Sequence, residues 1–122
     1  MKGKWLVTLL CAFAVAAGPV WAADAEKGKL VFNGPAGCGD CHKTTARKAA
    51  GPGLAGSAQR HTDEWLMMWL KEPKKTWQEN GPETAEMKKR LGVQDAERPG
   101  MKSRKNLTDD ELADLIAYLH TL

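Results

Sequence analysis

The sequence of 122 residues is short of cysteine, of aromatic residues and of excess charge, and these shortages narrow the class of protein. Only three cysteines occur, Cys11, Cys38 and Cys41, and an odd number is unexpected in an exported protein. A net charge of +3 excludes a strongly basic nucleic-acid-binding protein and an acidic disordered tail. A single long apolar run, at the N-terminus, excludes a membrane protein with several spans. The length is that of one domain.

Strand patterns are missing as well. No segment keeps the alternation of apolar and polar residues, rich in β-branched side chains, that indicates a half-buried strand. The chain has no internal repeat and no low-complexity tract. Hydrophobic residues make up 43% and aromatic residues 7%, which is a modest supply for the core of a small domain. We therefore predict an all-α fold with long loops and a further component at its centre.

The N-terminus has the layout of a secretory signal peptide. Lys2 and Lys4 are followed by the uncharged run from Trp5 to Ala17, and Gly18-Pro19 interrupts it. Cleavage after Ala22 is favoured, which gives a signal peptide over residues 1–22 and a mature domain over residues 23–122. The alternative is an uncleaved anchor. We expect a periplasmic or otherwise exported protein with no stable membrane span after cleavage, which also removes Cys11.

Helix signals mark both ends of the mature chain. Asp24 is suited to cap a helix that runs to about Phe32. Thr108 and Glu111 form a capping box for the last helix. The apolar stripe of that last helix consists of Leu112, Leu115, Ile116 and Leu119.

Between these ends, Thr62 is suited to cap a helix that stops at Pro73, because the residue before proline disfavours the helical conformation. Its apolar stripe consists of Trp65, Leu66, Trp69 and Leu70. A more polar helix is predicted from Pro82 or Glu83 to Leu91, with an apolar face of Met87 and Leu91. Residues 34–60 and the segment around Trp77 are predicted as loop.

The segment Cys38-Gly39-Asp40-Cys41-His42 carries the chemistry. A C-x-x-C-H motif is the attachment signature of c-type haem: the two thiols form thioethers and His42 ligates the iron. A thioredoxin-like motif requires a βαβ context, which is missing here. A structural zinc site requires four ligands, and only His61 and His120 are left to complete one. A simple disulfide between the two cysteines leaves His42 unexplained.

Met101 is the predicted second axial ligand of the iron. It lies in a polar loop with no helical stripe to join, so packing does not explain it. The other candidates have ordinary explanations: core packing for three methionines, solvation for two histidines. They are Met67, Met68, Met87, His61 and His120.

The mature chain resembles a small monohaem class I cytochrome c of bacterial type. Besides the C-x-x-C-H motif, the resemblance rests on segments found in sequence order around it. They are Gly28 with Phe32, Gly51-Pro52-Gly53-Leu54, the Met101 loop, and Asp114-Leu115-Ile116-Ala117-Tyr118-Leu119. Two features depart from the family: Lys102 stands where proline often follows the ligand methionine, and residues 71–100 are longer and more charged than in the shortest members.

The resemblance implies the class I fold, with three to five short helices around one covalently bound haem c. It also implies that the carbonyl of Pro52 accepts a hydrogen bond from the His42 imidazole, and that Gly28 permits close crossing of the first and last helices. The implied function is one-electron transfer with His/Met axial ligation between transient redox protein partners, without nucleic acid and without enzyme activity. Basic residues near the two ligands are expected to assist docking: Lys43, Arg47, Lys48, Lys102, Arg104 and Lys105.

Two other functions compete with a free carrier. The chain resembles the small haem subunits of some periplasmic oxidoreductases, such as sulfur-compound-oxidising complexes, in its Gly-Pro-x-Leu segment and its Tyr-Leu-x-Thr-Leu ending. Residues 71–100 would then form an interface. If Met101 does not bind, the open iron site would instead suit a ligand-binding or peroxidatic haem.

Overall fold

The computed structural model describes residues 22–122, which fold into five α-helices and two short 3₁₀ turns without a strand. Residues 1–21 of the predicted signal peptide lie outside the described residues. The helices are α1 (Ala25–Asn33), α2 (Asp63–Lys71), α3 (Pro73–Glu79), α4 (Pro82–Leu91) and α5 (Asp109–Leu119). The 3₁₀ turns are Cys38–Asp40 and Ala58–Arg60. None of the helices in the described range is long and apolar enough to cross a membrane.

The predicted caps of α1, α2 and α5 are confirmed. The Asp24 side chain accepts hydrogen bonds from the backbone N–H groups of Glu26 and Lys27. These groups lie in the first turn of the helix and therefore have no carbonyl partner within it. Thr62 accepts from the N–H of Trp65. The capping box of α5 is complete, since the Glu111 carboxylate also accepts from the backbone N–H of Thr108 at 2.8 Å.

The interpretation of the segment around Trp77 as loop was wrong. Pro73 ends α2, as predicted, but it also begins α3 as its first residue, where its fixed φ suits a helix and its missing N–H costs nothing. Trp77 is consequently buried, and its indole N–H donates to the carbonyl oxygen of Ala96 at 3.0 Å. Lys88 closes the contact between α3 and α4, because its Nζ donates to the Trp77 carbonyl and lies 4.3 Å from the centre of the indole.

The polar helix α4 begins and ends where predicted, between Pro82 and Gly92. Its apolar face is different. Met87 is buried, whereas Leu91 is 36% exposed and Thr84 is fully enclosed. Thr84 accepts the indole N–H of Trp65 at 3.0 Å, so the buried face of α4 is organised around a polar contact to α2.

The first and last helices make the main crossing of the fold. Gly28 is buried there, and a Cβ at that position would overlap the backbone carbonyl of Asp114. The Asp114 carboxylate accepts the backbone N–H of Asp24 at 2.7 Å, and Phe32 meets Tyr118 edge to face at 5.4 Å. The buried apolar residues are Val31, Phe32, Ala36, Cys38, Ala58, Trp65, Leu66, Leu70, Trp77, Met87, Leu107, Leu112, Leu115, Ile116 and Leu119.

Candidate haem site

The C-x-x-C-H motif folds into a tight turn. Gly37 adopts a left-handed conformation (φ 59°) before it, and the backbone N–H groups of Cys41 and His42 both donate to the carbonyl of Cys38, at 3.2 and 2.9 Å. The two cysteines are free thiols, with Cys38 buried and Cys41 exposed.

Arg104 lies against the buried cysteine. Burial raises the pKa of the Cys38 thiol, and the positive charge of the nearby Arg104 guanidinium acts in the opposite direction. The backbone N–H of Arg104 donates to the carbonyl of Leu70 at 2.8 Å, which ties this residue to the end of α2. Its Nε is buried and has no hydrogen-bond partner among the described residues. Arg104, expected at the docking surface, is half-buried, and its guanidinium lies close to Cys38.

The imidazole of His42 is fixed from the segment that follows it. Its Nδ1 lies 2.8 Å from the carbonyl oxygen of Pro52, and since a carbonyl only accepts, Nδ1 carries the proton and donates. Nε2 is then the nitrogen with a free lone pair. Gly51 packs on the ring so closely that a Cβ there would approach Cε1 to 2.6 Å. The backbone N–H of Gly51 donates to the carbonyl of Cys41, which holds this segment against the motif.

Met101 is half-buried in a loop that packs on the core beside α2. The indole N–H of Trp69 donates to its Sδ at 3.2 Å. The loop is anchored on both sides of the site: the Ser103 hydroxyl donates to the carbonyl of Lys71, and the Asn106 side chain donates to the carbonyl of Pro35, just before the cysteine motif.

Of the three other methionines that were predicted to pack in the core, two do so and one does not. Met87 is buried in α4 as predicted. Met67 is partly buried and packs against the core, whereas Met68 is 46% exposed on α2. The core interpretation of Met68 was therefore wrong: the stripe of α2 faces inward through Trp65, Leu66 and Leu70, and Met68 lies off it.

The two other histidines are held by carboxylates. The side chain of His61 is only 6% exposed, so its interpretation as a solvated residue was wrong. It stacks on Trp65 at 4.1 Å, and its Nδ1 lies 3.3 Å from the Glu83 carboxylate. Nε2 of His120 lies 2.6 Å from the Asp63 carboxylate at the surface.

The surroundings of His61 oppose its protonation. Burial lowers the pKa of this imidazole, and the nearby Arg90 charge acts in the same direction, while Glu83 opposes it. With Nδ1–H donating to Glu83, Nε2 accepts from the Arg90 guanidinium at 3.4 Å, so a second proton would face that cation. Within residues 22–122 no cluster of three or more His, Cys, Asp or Glu side chains is arranged to hold a metal ion.

A basic groove of about 570 Å³ adjoins Met101. Its cationic lining residues are Lys74, Lys75, Arg98, Lys102 and Lys105. Sequence reasoning included Lys102 and Lys105 but missed the other three, because the order of residues along the chain did not show that α3 lies beside the Met101 loop. Among the described residues that line the groove, Glu72 is the one acid, and it pairs with Lys105 at 3.4 Å and Lys75 at 3.9 Å.

These donors fit a c-type haem. The site offers two free thiols on one turn, an imidazole whose Nδ1 is already engaged, and a methionine sulfur in an anchored loop. The family model described as Cytochrome c matches residues 25–122, and the chain belongs to this family. The fold is that of a small class I cytochrome c, and membership implies a covalently bound haem c. No curated protein matches the chain.

Proposed function

We propose that this cytochrome c carries single electrons between protein partners outside the cytoplasm, with one haem held by four side chains. Cys38 and Cys41 would hold the haem through two thioether bonds, and His42 and Met101 would ligate its iron. The observation that carries the proposal is the 2.8 Å contact between His42 Nδ1 and the Pro52 carbonyl, because it fixes the tautomer that a metal-binding imidazole needs.

When bound, the haem supplies a single iron(III)/iron(II) couple. The protein's part is to fix the ligands and tune them. The hydrogen bond from Nδ1 to Pro52 orients the His42 imidazole and makes Nε2 a stronger electron donor to a metal, and Gly51 leaves the ring no room to turn. Methionine is a soft ligand that favours the reduced metal and raises the potential. With His42 and Met101 both bound to the iron, no position would be left there for a substrate, which favours a carrier over an enzyme.

The basic groove beside Met101 supports docking of a partner with an acidic surface. Its cations lie on α3 and on the Met101 loop, and opposite charges accelerate encounter without requiring a large buried interface. Lys43, Arg47 and Lys48, which follow the cysteine motif, are exposed and extend the positive surface on the His42 side. A short-lived complex suits a carrier that must release each partner after one electron has passed.

Export follows from the predicted signal peptide over residues 1–22. Cleavage after Ala22 leaves a mature chain whose first helical cap, Asp24, is its second residue. The intact mass of the exported protein tests this directly, since retention of the N-terminal residues would contradict cleavage.

The function is tested by redox titration of the purified haem protein together with its size in solution. We expect one reversible one-electron transition in a monomeric protein, and the same spectrum before and after addition of small ligands such as cyanide or carbon monoxide at low concentration. Rapid ligand binding at the iron would indicate an open coordination site and would overturn the proposed carrier function. Stable co-purification with a larger oxidoreductase would instead identify an enzyme subunit.

A further inference from the structure

The sulfur of Met101 receives a hydrogen bond from within the core. Nε1 of Trp69 lies 3.2 Å from Sδ, which is short for a contact between an N–H and a thioether. A thioether sulfur has two lone pairs. If one lone pair faces the indole N–H, the other is the pair available to a metal. The hydrogen bond from Trp69 therefore sets which lone pair of the sulfur can bind.

The indole of Trp69 is held in place by a stack of aromatic rings. Trp69 stacks on Trp65 with ring centres 5.3 Å apart and planes within 8°, and Trp65 in turn stacks with His61 at 4.1 Å. The stack is anchored from α4, because the Trp65 indole N–H donates to the hydroxyl of Thr84, a residue that is 1% exposed. Helix α4, which belongs to the charged segment 71–100, is therefore connected to Met101 through the indole rings of Trp65 and Trp69.

We propose that Trp69 is a positioning residue for the Met101 sulfur, and that α4 acts on the same sulfur through Thr84 and Trp65. This rests on the proposed ligation of the haem iron by Met101. The N–H dipole points its positive end at the sulfur, so it withdraws electron density and makes the thioether a weaker donor. A weaker donor stabilises the higher charge of the oxidised metal less, and the hydrogen bond consequently raises the reduction potential.

Trp69→Phe tests the inference in the haem-loaded protein, because phenylalanine keeps a ring in the stack and lacks the N–H. We expect the potential to fall, so that at a fixed ambient potential the ratio of reduced to oxidised protein drops about three- to tenfold, as the loss of one hydrogen bond allows. The near-infrared band that reports a sulfur ligand on ferric haem should shift but persist. Trp77→Phe is the matched control: it keeps the ring whose centre lies 6.3 Å from that of Trp69, and the indole N–H that it removes donates to Ala96 and not to Met101, so both readouts should stay unchanged.

Thr84→Val is the second variant, and it tests the anchor. It removes the acceptor of Trp65 without changing the side-chain volume, and it should lower the potential in the same direction by a smaller factor. A wild-type potential in Thr84→Val would overturn the role of α4. If Trp69→Phe does not yield folded haem protein, the potential and the near-infrared band of Thr84→Val decide the inference: a shift of both supports it, and wild-type values of both overturn the coupling of Trp69 as well as of α4 to the sulfur.

The outcomes separate this inference from the proposed function. A near-infrared band in the wild type with the same potential and band position in Trp69→Phe overturns the positioning role and leaves Met101 as ligand. If the wild type has no such band, the proposed ligation itself is wrong.

Discussion

The crossing of α1 and α5 depends on the absence of a side chain at Gly28, and Gly28→Ala should destabilise the folded protein. A Cβ at this position would overlap the carbonyl oxygen of Asp114, lie 2.5 Å from its carbonyl carbon and 2.8 Å from Cβ of Tyr118. Two of these atoms are backbone, so no side-chain rotation relieves the contact. The helix α5 cannot retreat freely either, because Leu112 and Leu115 on it are completely buried.

The magnitude follows from two opposing effects. Overpacking of this kind costs about 1–3 kcal/mol, and a backbone contact belongs at the upper end of that range. Alanine recovers up to about 1 kcal/mol because it is a better helix former than glycine. We therefore expect a net loss of about 2 kcal/mol, which lowers the melting temperature of a domain of this size by roughly 8–16 °C.

Thermal unfolding of the haem-loaded protein, followed by circular dichroism, measures this loss. Gly100→Ala is the matched control, because no heavy atom lies within 4 Å of a Cβ built there. It should be neutral or slightly stabilising, since it reduces the freedom of the unfolded chain. A Gly28→Ala variant that melts with the wild type would refute the account of the crossing.

Three further predictions concern capping, pH and salt. Thr108→Ala removes the hydroxyl that accepts from the first turn of α5 at 3.2 Å, and the free energy of unfolding in urea should fall by about 1 kcal/mol; an unchanged value would refute the cap. Because the pKa of His61 is lowered in the folded state, the unfolded chain binds this proton more readily, so stability should be full above the ordinary histidine pKa of about 6.5 and decline as pH falls below it. His61→Phe keeps a ring on Trp65 and should reduce this decline in the free energy of unfolding, measured by urea titration at several pH values. An equal pH dependence in the variant and the wild type would contradict the role of His61. Electron transfer with an acidic partner should slow as salt rises, and Lys74→Glu with Lys75→Glu should slow it further at low salt; a salt-independent rate argues against the groove.

Local signals in the sequence predicted much of the fold. The caps at Asp24, Thr62 and Thr108 and the apolar periodicity of the last helix determine helix ends through contacts within a few residues, and these predictions are confirmed. The helix α3 was missed because Pro73 was taken only as the end of one helix, although proline also suits the first position of the next.

The parts that the sequence did not reveal depend on contacts between distant segments. Trp69 was predicted as core, and nothing in its own helix indicates that its indole N–H reaches Met101 in a loop 32 positions later. Arg104 was assigned to the surface by its charge, whereas the fold brings it to Cys38. The burial of His61 likewise requires Glu83 and Arg90 from α4. A local pattern cannot encode such pairs, although the i, i+4 spacing of Trp65 and Trp69 already placed both rings on one face.

The most direct test of the account is the near-infrared absorption of the ferric protein in the wild type and in Met101→Ala. A sulfur-to-iron band is predicted in the wild type and should be lost in Met101→Ala, while Met68→Ala, which alters an exposed methionine, should retain it. A band that persists in Met101→Ala would contradict Met101 as the axial ligand and with it the proposed carrier site.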